Sequence, residues 1–381
     1  MPLFIAILIL ITHLAIAAVA ILGSRRIPFL RDIDPVALEN APSVSIVIAA
    51  RNEERNIRAA LQSLLRLDYP ALQLVVVNDR SEDGTGAILT ELAASDSRLE
   101  MIEVTTLPQG WLGKNHALWR GSAAATGELL LFTDADVMMN TETLARAVGY
   151  LQRQHLDHLA VTPEARMPGW LLNCFGMTFG FFFGLFTRPW QVTNPKRRAH
   201  IGIGAFNLVR ASIYREVGGH RTIAMRPDDD LKLGKIIKLS GARQGLLYGT
   251  GLIRVEWYSS VTEVVRGLEK NLFAGTDYRI WMMLGGIGFN LGFCLWPWLA
   301  LLLTGGAVQI LYAASVAVLS LAVAANARFH GYHGWYALGF PLTTALFTWI
   351  MARTLILNLR QGGIYWRGTF YPLADLKKNR V

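Results

Sequence analysis

Leu129-Leu130-Leu131-Phe132-Thr133-Asp134-Ala135-Asp136 decides the reading of this chain. Four apolar residues in a row read as a strand buried on both faces, with acidic residues following at its carboxyl end. Two carboxylates one residue apart at a strand end can share a hard cation between protein and a diphosphate. Mg2+ favours such a set, one or two carboxylates completed by phosphate oxygens. The same D-x-D also occurs in solvated turns, so its surroundings decide what it is.

Upstream, Val44-Ser45-Ile46-Val47-Ile48 reads as a first strand and runs on into Ala50-Arg51-Asn52-Glu53-Glu54. A helix is expected from Asn56 to Leu65, because Ile57, Leu61, Leu64 and Leu65 fall at helical spacing. Leu74-Val75-Val76-Val77 is a second apolar strand, ending in Asn78-Asp79-Arg80-Ser81-Glu82-Asp83-Gly84-Thr85. Strands alternating with helices predict an α/β fold with a largely parallel sheet covered on both faces. Ligands of such sheets bind beyond the carboxyl ends of the strands, where all three polar clusters lie. Asp79 there suits a nucleotide base or ribose; a turn or helix N-cap is the plainer role, which Ser81 or Asp83 fills equally well. Gly110-Trp111-Leu112-Gly113-Lys114-Asn115 is a glycine-flanked loop with one cation, and Lys114 can meet a phosphate as a point charge. No Walker lysine loop and no G-x-G-x-x-G follows a strand, which leaves P-loop and dinucleotide chemistry unsupported.

Downstream, Arg226-Pro227-Asp228-Asp229-Asp230-Leu231-Lys232-Leu233-Gly234 sets three carboxylates side by side. Proline at a helix start and acids in its first turn have a structural explanation. Adjacent like charges also raise one another's pKa, which suits a general base.

The ends of the chain differ from its middle. Of the 381 residues 52% are hydrophobic and only 17% charged, against about 25% charged in an ordinary globular domain. Residues 1–23 are almost purely apolar, with His13 the one strongly polar side chain, and Arg25 and Arg26 follow. That is a membrane-spanning length, and the arginines place what comes next in the cytoplasm. No Lys or Arg precedes the run, which favours a retained anchor over a cleaved signal. Residues 281–358 hold three more apolar stretches, about Trp281 to Leu303, Ala307 to Ala327 and Trp335 to Ala352. The first two form a hairpin around Gly305-Gly306, with Arg328 marking a return to the cytoplasm. If the third, which contains Pro341, also spans, the basic tail of residues 359–381 lies outside, against the positive-inside tendency. The alternative is a re-entrant or interfacial helix. Residues 170–187 are a further Phe- and Gly-rich run, read as an interfacial helix ahead of Arg188, Lys196, Arg197 and Arg198, with a buried core helix as the other reading.

A net charge of +9 fits an anionic surface or substrate, and no nucleic-acid-binding signature accompanies it. Nucleic acid is not an expected partner. Cys174 and Cys294, far apart in apolar stretches, build neither a disulfide framework nor a metal knuckle.

Taken in order, these clusters resemble the family 2 glycosyltransferases with a GT-A fold, over roughly Ser43 to Asn271. The resemblance implies that Ala50, Arg51, Asn52 and Glu53 line a nucleotide sugar. Asn78 and Asp79 stand in the family's D-D-x-S-x-D-G, with Asn for its first Asp, which leaves open which of the two meets the base. Asp134 and Asp136 match the D-x-D, implying that Asp136, with Asp134, holds Mg2+ or Mn2+. Gly204 and His220 resemble the acceptor side. Leu233-Gly234 and Gly241 set a register with Asp230 as catalytic base and Asp229 beside it; Asp228 is the register-shifted alternative. Lys114 and the membrane segments look most like ceramide glucosyltransferases and bacterial hopanoid- or carotenoid-associated enzymes. The family's Q/R-x-x-R-W box has no clean copy. Gly267-Leu268-Glu269-Lys270-Asn271 occupies its place, and Trp366-Arg367-Gly368 is a second substitute on the acceptor side.

The expectation is an inverting glycosyltransferase of the inner membrane, with residues 42–280 as its cytoplasmic GT-A domain. It moves a sugar from a nucleotide sugar, expected to be a UDP-sugar, to a lipid or membrane-associated hydroxyl. The rivals are a processive polysaccharide synthase and a non-catalytic scaffold.

Overall fold

The computed structural model describes residues 1–381 apart from the side chain of Asn40. Its elements run α1 (Pro2–Ser24), β1 (Val44–Ala50), α2 (Ile57–Leu65), β2 (Leu72–Asp79), α3 (Thr85–Ser95) and β3 (Leu99–Val104). Next come α4 (Gly113–Ala124), β4 (Leu129–Asp134), β5 (Met138–Met139), α5 (Thr143–Arg153), β6 (His158–Thr162), β7 (Glu164–Arg166) and α6 (Gly169–Thr187). They continue as β8 (Asn207–Arg210), α7 (Ala211–Glu216), α8 (Gly219–Thr222), α9 (Asp229–Leu239), β9 (Gln244–Tyr248) and β10 (Ile253–Glu256). The last are α10 (Val261–Gly275), α11 (Ile280–Phe289), α12 (Trp296–Leu303), α13 (Gly306–Phe329), α14 (Phe340–Gln361), β11 (Gly363–Trp366), β12 (Thr369–Pro372) and α15 (Leu373–Lys378). They form two compact units. A sheet unit takes residues 27–165, 191–256 and 378–381; a helical unit takes 1–26, 166–190 and 257–377.

In the sheet unit seven strands lie in the order β3-β2-β1-β4-β8-β6-β9. β1 pairs in parallel with both β2 and β4, and β8 runs antiparallel between β4 and β6. This is the expected α/β sheet with one reversed strand. Its core has two sides because successive strand residues point to opposite faces. Ile46 and Ile48 join Leu61, Leu64 and Val148 from α2 and α5 on one face. Val47 joins Leu118, Leu233 and Ile237 from α4 and α9 on the other. Each such side chain taken out of water stabilises the fold by about 1.5–3 kcal/mol. The register matters for function: Ala50 lies opposite Asn78, and Ala49 opposite Asp134. The polar clusters of three strands therefore end at one level, where the chain turns from β1 toward β2 on one side and β4 lies on the other.

In the helical unit α10 opens with a capping box, Ser260 accepting from Glu263 N–H at 3.2 Å and Glu263 accepting from Ser259 N–H at 2.9 Å. A π-turn over Asn290–Leu295 joins α11 to α12. Buried His13 of α1 lies 2.8 Å from the Phe293 carbonyl of that turn and 3.1 Å from the Ser315 carbonyl of α13. The polar residue in the first apolar run thus ties three segments together. The units divide the chain differently from the expected 42–280 domain: residues 166–190 and 257–280 group with the apolar helices, where Met177 and Phe181 of the first stretch are buried.

Candidate active site

The carboxyl ends of β1 and β2 continue into two loops that hold each other. Asn52 N–H donates to Ser81 Oγ at 3.1 Å, and Asn52 Oδ1 accepts from Glu82 N–H at 2.8 Å. Glu53 N–H donates to Thr85 Oγ1 at 2.8 Å, and Glu54 Oε2 accepts from Gly84 N–H at 2.9 Å. Asn52 and Arg80 both adopt a left-handed φ of 56°. Such a backbone costs on the order of 1–3 kcal/mol and concentrates at functional sites. Asp83 accepts from Thr85 N–H at 3.0 Å in the turn ahead of α3, whose N-cap is Gly84 without a side-chain cap.

Alternation along β2 sends Asn78 and Asp79 to opposite faces. Asn78 donates to both Glu103 oxygens, at 3.1 and 2.9 Å, on the α3 side. Asp79 lies on the α4 side, gripped by its neighbour Arg80 at 2.7 and 2.9 Å. A Cβ on Gly113 would stand 2.4 Å from Asp79 Oδ2, so only glycine lets α4 begin against that carboxylate. Lys114 is the next residue.

Lys114 Nζ sits 2.8 Å from Asp134 Oδ1 and 3.2 Å from Asp229 Oδ2. It thereby joins the end of β4 to the start of α9. The three adjacent aspartates take three different partners. Asp228 is held by buried Arg226 through two bonds of 2.9 Å, with Lys232 Nζ 3.6 Å away. Asp229 faces Lys114. Asp230 accepts from Gly204 N–H and Leu231 N–H, each at 2.8 Å. Gly204 is wedged between the two acidic clusters, since a Cβ there would stand 2.6 Å from Asp134 Oδ2. Lys114, Asp134, Gly204, His220, Asp229 and Asp230 line one cavity.

Burial, and then Asp229, push the Asp230 carboxyl up to about 7, with Lys114 opposing. Burial, and then Asp134 and Glu53, push Asp136 up to about 7. Burial would lower Lys114, but Asp134, Asp229 and Asp230 outweigh it and keep the ammonium charged. His220, buried and near that ammonium, is lowered to about 3 and is a neutral imidazole, hydrogen-bonded through Nδ1 to Tyr214 Oη at 2.9 Å. Asp134 and Glu53 both repel Asp136, so the end of β4 carries an excess of negative charge. Among the described residues no group of three or more His, Cys, Asp or Glu could hold a metal ion. Asp134 and Asp136, two carboxylates one residue apart, are the residues that would hold a divalent cation, with its remaining positions left to phosphate and water.

Of the residues singled out from the sequence, Ala50, Asn78, Asp79, Lys114, Asp134, Gly204, His220, Asp229 and Asp230 are all in the sheet unit, as are Arg51 to Glu53 and Asp136. Trp366 and Arg367 belong to the helical unit, at the turn of the β11–β12 hairpin, where Lys270 Nζ lies 4.3 Å over the Trp366 ring. The two substitutes for the missing box thus meet each other. Sequence reading missed the residues that shape the loop before the aspartates. Asn115 Nδ2 donates to the carbonyls of Ile223 and Arg226 at 2.8 and 2.9 Å. Asn379 accepts from Met225 N–H and donates to the Thr222 carbonyl, both at 2.9 Å. A side-chain amide gathering backbone groups over a hundred residues away leaves no spacing signal.

Residues 45–218 match the family model described as glycosyl transferase family 2. The chain is 24% identical over 244 residues to the 4,4'-diaponeurosporenoate glycosyltransferase of Staphylococcus haemolyticus, a match spanning 63% of this chain and 63% of that protein. It is 22% identical over 347 residues to the Staphylococcus aureus protein of the same description, covering 88% of this chain and 90% of that one. In fold it is similar to the mannosyltransferase PcManGT from Pyrobaculum calidifontis, solved in complex with GDP-Man and Mn2+. That comparison has a TM-score of 0.58 at 20% identity, covering 94% of this chain and 99% of that one.

Proposed function

Since residues 45–218 match the family model described as glycosyl transferase family 2, we propose that the chain transfers a sugar from a nucleotide sugar to a hydroxyl of a lipid or membrane-associated acceptor, with inversion. The observation that carries this is the division of labour among the three aspartates. Asp228 is neutralised by Arg226 and Asp229 by Lys114, while Asp230 lines the cavity with its pKa raised to about 7. A base works best with a pKa near the operating pH. Asp230 takes the proton of the acceptor hydroxyl as that oxygen attacks the anomeric carbon, and the bond to the nucleoside diphosphate breaks on the opposite face. The Gly204 and Leu231 N–H groups hold the carboxylate in place. Lys114 presents its charge toward the departing diphosphate. Asp136, with Asp134, would hold Mg2+ or Mn2+, which would supply positive charge against that leaving group. Asp79, on the Lys114 side of β2, is the residue of its pair that meets the nucleoside; Ala50 to Glu53 flank it. A long apolar acceptor is supported by the staphylococcal relatives, which are 4,4'-diaponeurosporenoate glycosyltransferases.

The test is incubation of the purified full chain with labelled UDP- and GDP-sugars and a lipid extract, with and without EDTA. A labelled lipid that disappears with EDTA and with Asp230→Asn is expected. The substitution should lower turnover by about 10²–10⁴-fold, the usual worth of general base catalysis, with donor affinity kept. A variant as active as the parent removes Asp230 from its role; a long polymer in place of a lipid removes the acceptor.

A further inference from the structure

Five helical stretches are long and apolar enough to cross a membrane: Pro2–Ser24, Gly169–Gln191, Ile280–Leu303, Gly306–Phe329 and Gly334–Gln361. Connectivity within the sheet unit limits how many do. That unit is assembled from three separate stretches of chain, 27–165, 191–256 and 378–381. β8, from the second stretch, is hydrogen-bonded between β4 and β6, from the first. The third is bonded to the second: Asn379 to Thr222 and Met225 at 2.9 Å each, and Lys235 Nζ to the Val381 carbonyl at 2.6 Å. A bilayer cannot pass through a hydrogen-bonded sheet, so all three stretches share one side of it. Every excursion that leaves this unit and returns must therefore cross an even number of times. The excursion 166–190 contains one apolar helix, α6, and crosses zero times. The excursion 257–377 contains three, and at most two of them cross.

Packing inside the helical unit identifies the one that does not. Toward Met1, Ala6 and Ile9 of α1 pack with Ala300 of α12 and Tyr312 of α13. Toward the other end, Ala20 shares a cluster with Phe181 of α6, Leu319 of α13 and Phe340 of α14. A Cβ on Gly23 would stand 2.4 Å from the Trp190 ring. So α6 and α14 join the α1–α13 cluster from its middle toward Ser24, and not beside Ala6 and Ile9. They also pair with each other: Thr178 and Thr343 hydroxyls are 2.7 Å apart, and the Phe182 and Phe347 rings stack at 5.6 Å.

We propose that α1, α11–α12 and α13 cross the bilayer, whereas α6 and α14 lie as a pair in the leaflet on the sheet unit's side. Their partner is the boundary between headgroups and acyl chains there. The side chains they leave uncovered suit that depth. Trp170 is 50%, Phe186 55% and Trp349 52% exposed, and exposed Arg353 and Arg360 flank Ile356. Tryptophans and snorkelling arginines around an apolar stripe mark an interfacial helix. The arrangement also returns the basic tail to the side of Arg25 and Arg26, which removes the conflict with the positive-inside tendency. The inference rests on the membrane attachment proposed above, and not on sugar transfer.

Single cysteines at Gly305→Cys, between α12 and α13, and at Gln361→Cys, at the end of α14, in a full chain also carrying Cys174→Ala and Cys294→Ala, test it in cells. A membrane-impermeant maleimide should reach them from opposite faces: Gly305→Cys in intact cells, Gln361→Cys only after permeabilisation. Labelling of both from the same face means α14 crosses and overturns the proposal. An epitope tag placed after Val381 of the unsubstituted chain gives an independent reading. Resistance to external protease in intact cells is expected, and its removal overturns the proposal without reference to either cysteine variant.

Discussion

Asp228, Asp229 and Asp230 are chemically identical and adjacent, yet the fold gives them different charges to answer. Asp228 is 7% exposed and bound to Arg226, which is 1% exposed. Removing one partner of a buried pair leaves the other charge uncompensated, at about 3–5 kcal/mol. Asp228→Asn should therefore lower the unfolding free energy by that order, read from denaturant unfolding, whereas Asp230→Asn should leave stability intact or raise it. The direction for Asp230 follows from its raised pKa. Its folded-state value of about 7 exceeds the ordinary 3.8, so the folded protein holds that proton more tightly than the unfolded chain. The stability from it is fully present below pH 3.8 and is lost as pH rises through about 7. Activity runs the other way. The base must be unprotonated, so kcat/KM should climb with pH up to about 7 and level above it, a limb that Asp230→Asn abolishes. A flat profile from pH 5 to 8 in the parent would contradict the assignment, since a group of that pKa must titrate within the range.

At the scale of elements, the site is where loops from different strands are locked together. Gly204 is the narrowest point: its N–H holds Asp230 while its Cα faces Asp134. Gly204→Ala would press a methyl to 2.6 Å from Asp134 Oδ2, pushing apart the acidic clusters that Lys114 bridges. The expected outcome is a large fall in kcat with an unfolding midpoint close to the parent's; an unaltered kcat would show that the spacing is not critical. The strands themselves were readable because buried parallel strands carry unbroken apolar runs, as in Val44–Ile48, Leu74–Val77 and Leu129–Phe132. The helix at Ile57–Leu65 was readable from its periodic stripe. β3 and β8 were not: Leu99–Val104 is half exposed and β8 has only four residues, so neither shows a run. The reversal of β8 depends on the path of the excursion through residues 166–190, which no local pattern encodes.

Over the whole molecule, the chain leaves the sheet unit twice for the helical one and ends by returning to it. The returning tail matters because Asn379 fixes Thr222 and Met225, and Asn115 fixes Ile223 and Arg226, so the loop ahead of the aspartates is held by two amides. Each such bond contributes about 0.5–1.5 kcal/mol. Asn379→Ala should therefore cost on the order of 1–3 kcal/mol of local stability and show as faster amide exchange around residues 222–226. No change in exchange there would mean that the tail does not order the loop.

Sequence by itself determined the α/β architecture, the ends of three parallel strands and the acidic clusters gathered there, because apolar runs and the residues closing them are local properties. It could not say which aspartate would be free to act, which of Asn78 and Asp79 faces Lys114, or where chain segments hundreds of residues apart would meet. Those depended on partners remote in sequence: Lys114 reaching across from α4, Gly204 between Asp134 and Asp230, and Asn379 arriving from the tail. Charge, burial and hydrogen bonding between distant residues exist only once the sheet has closed, and they decide the chemistry.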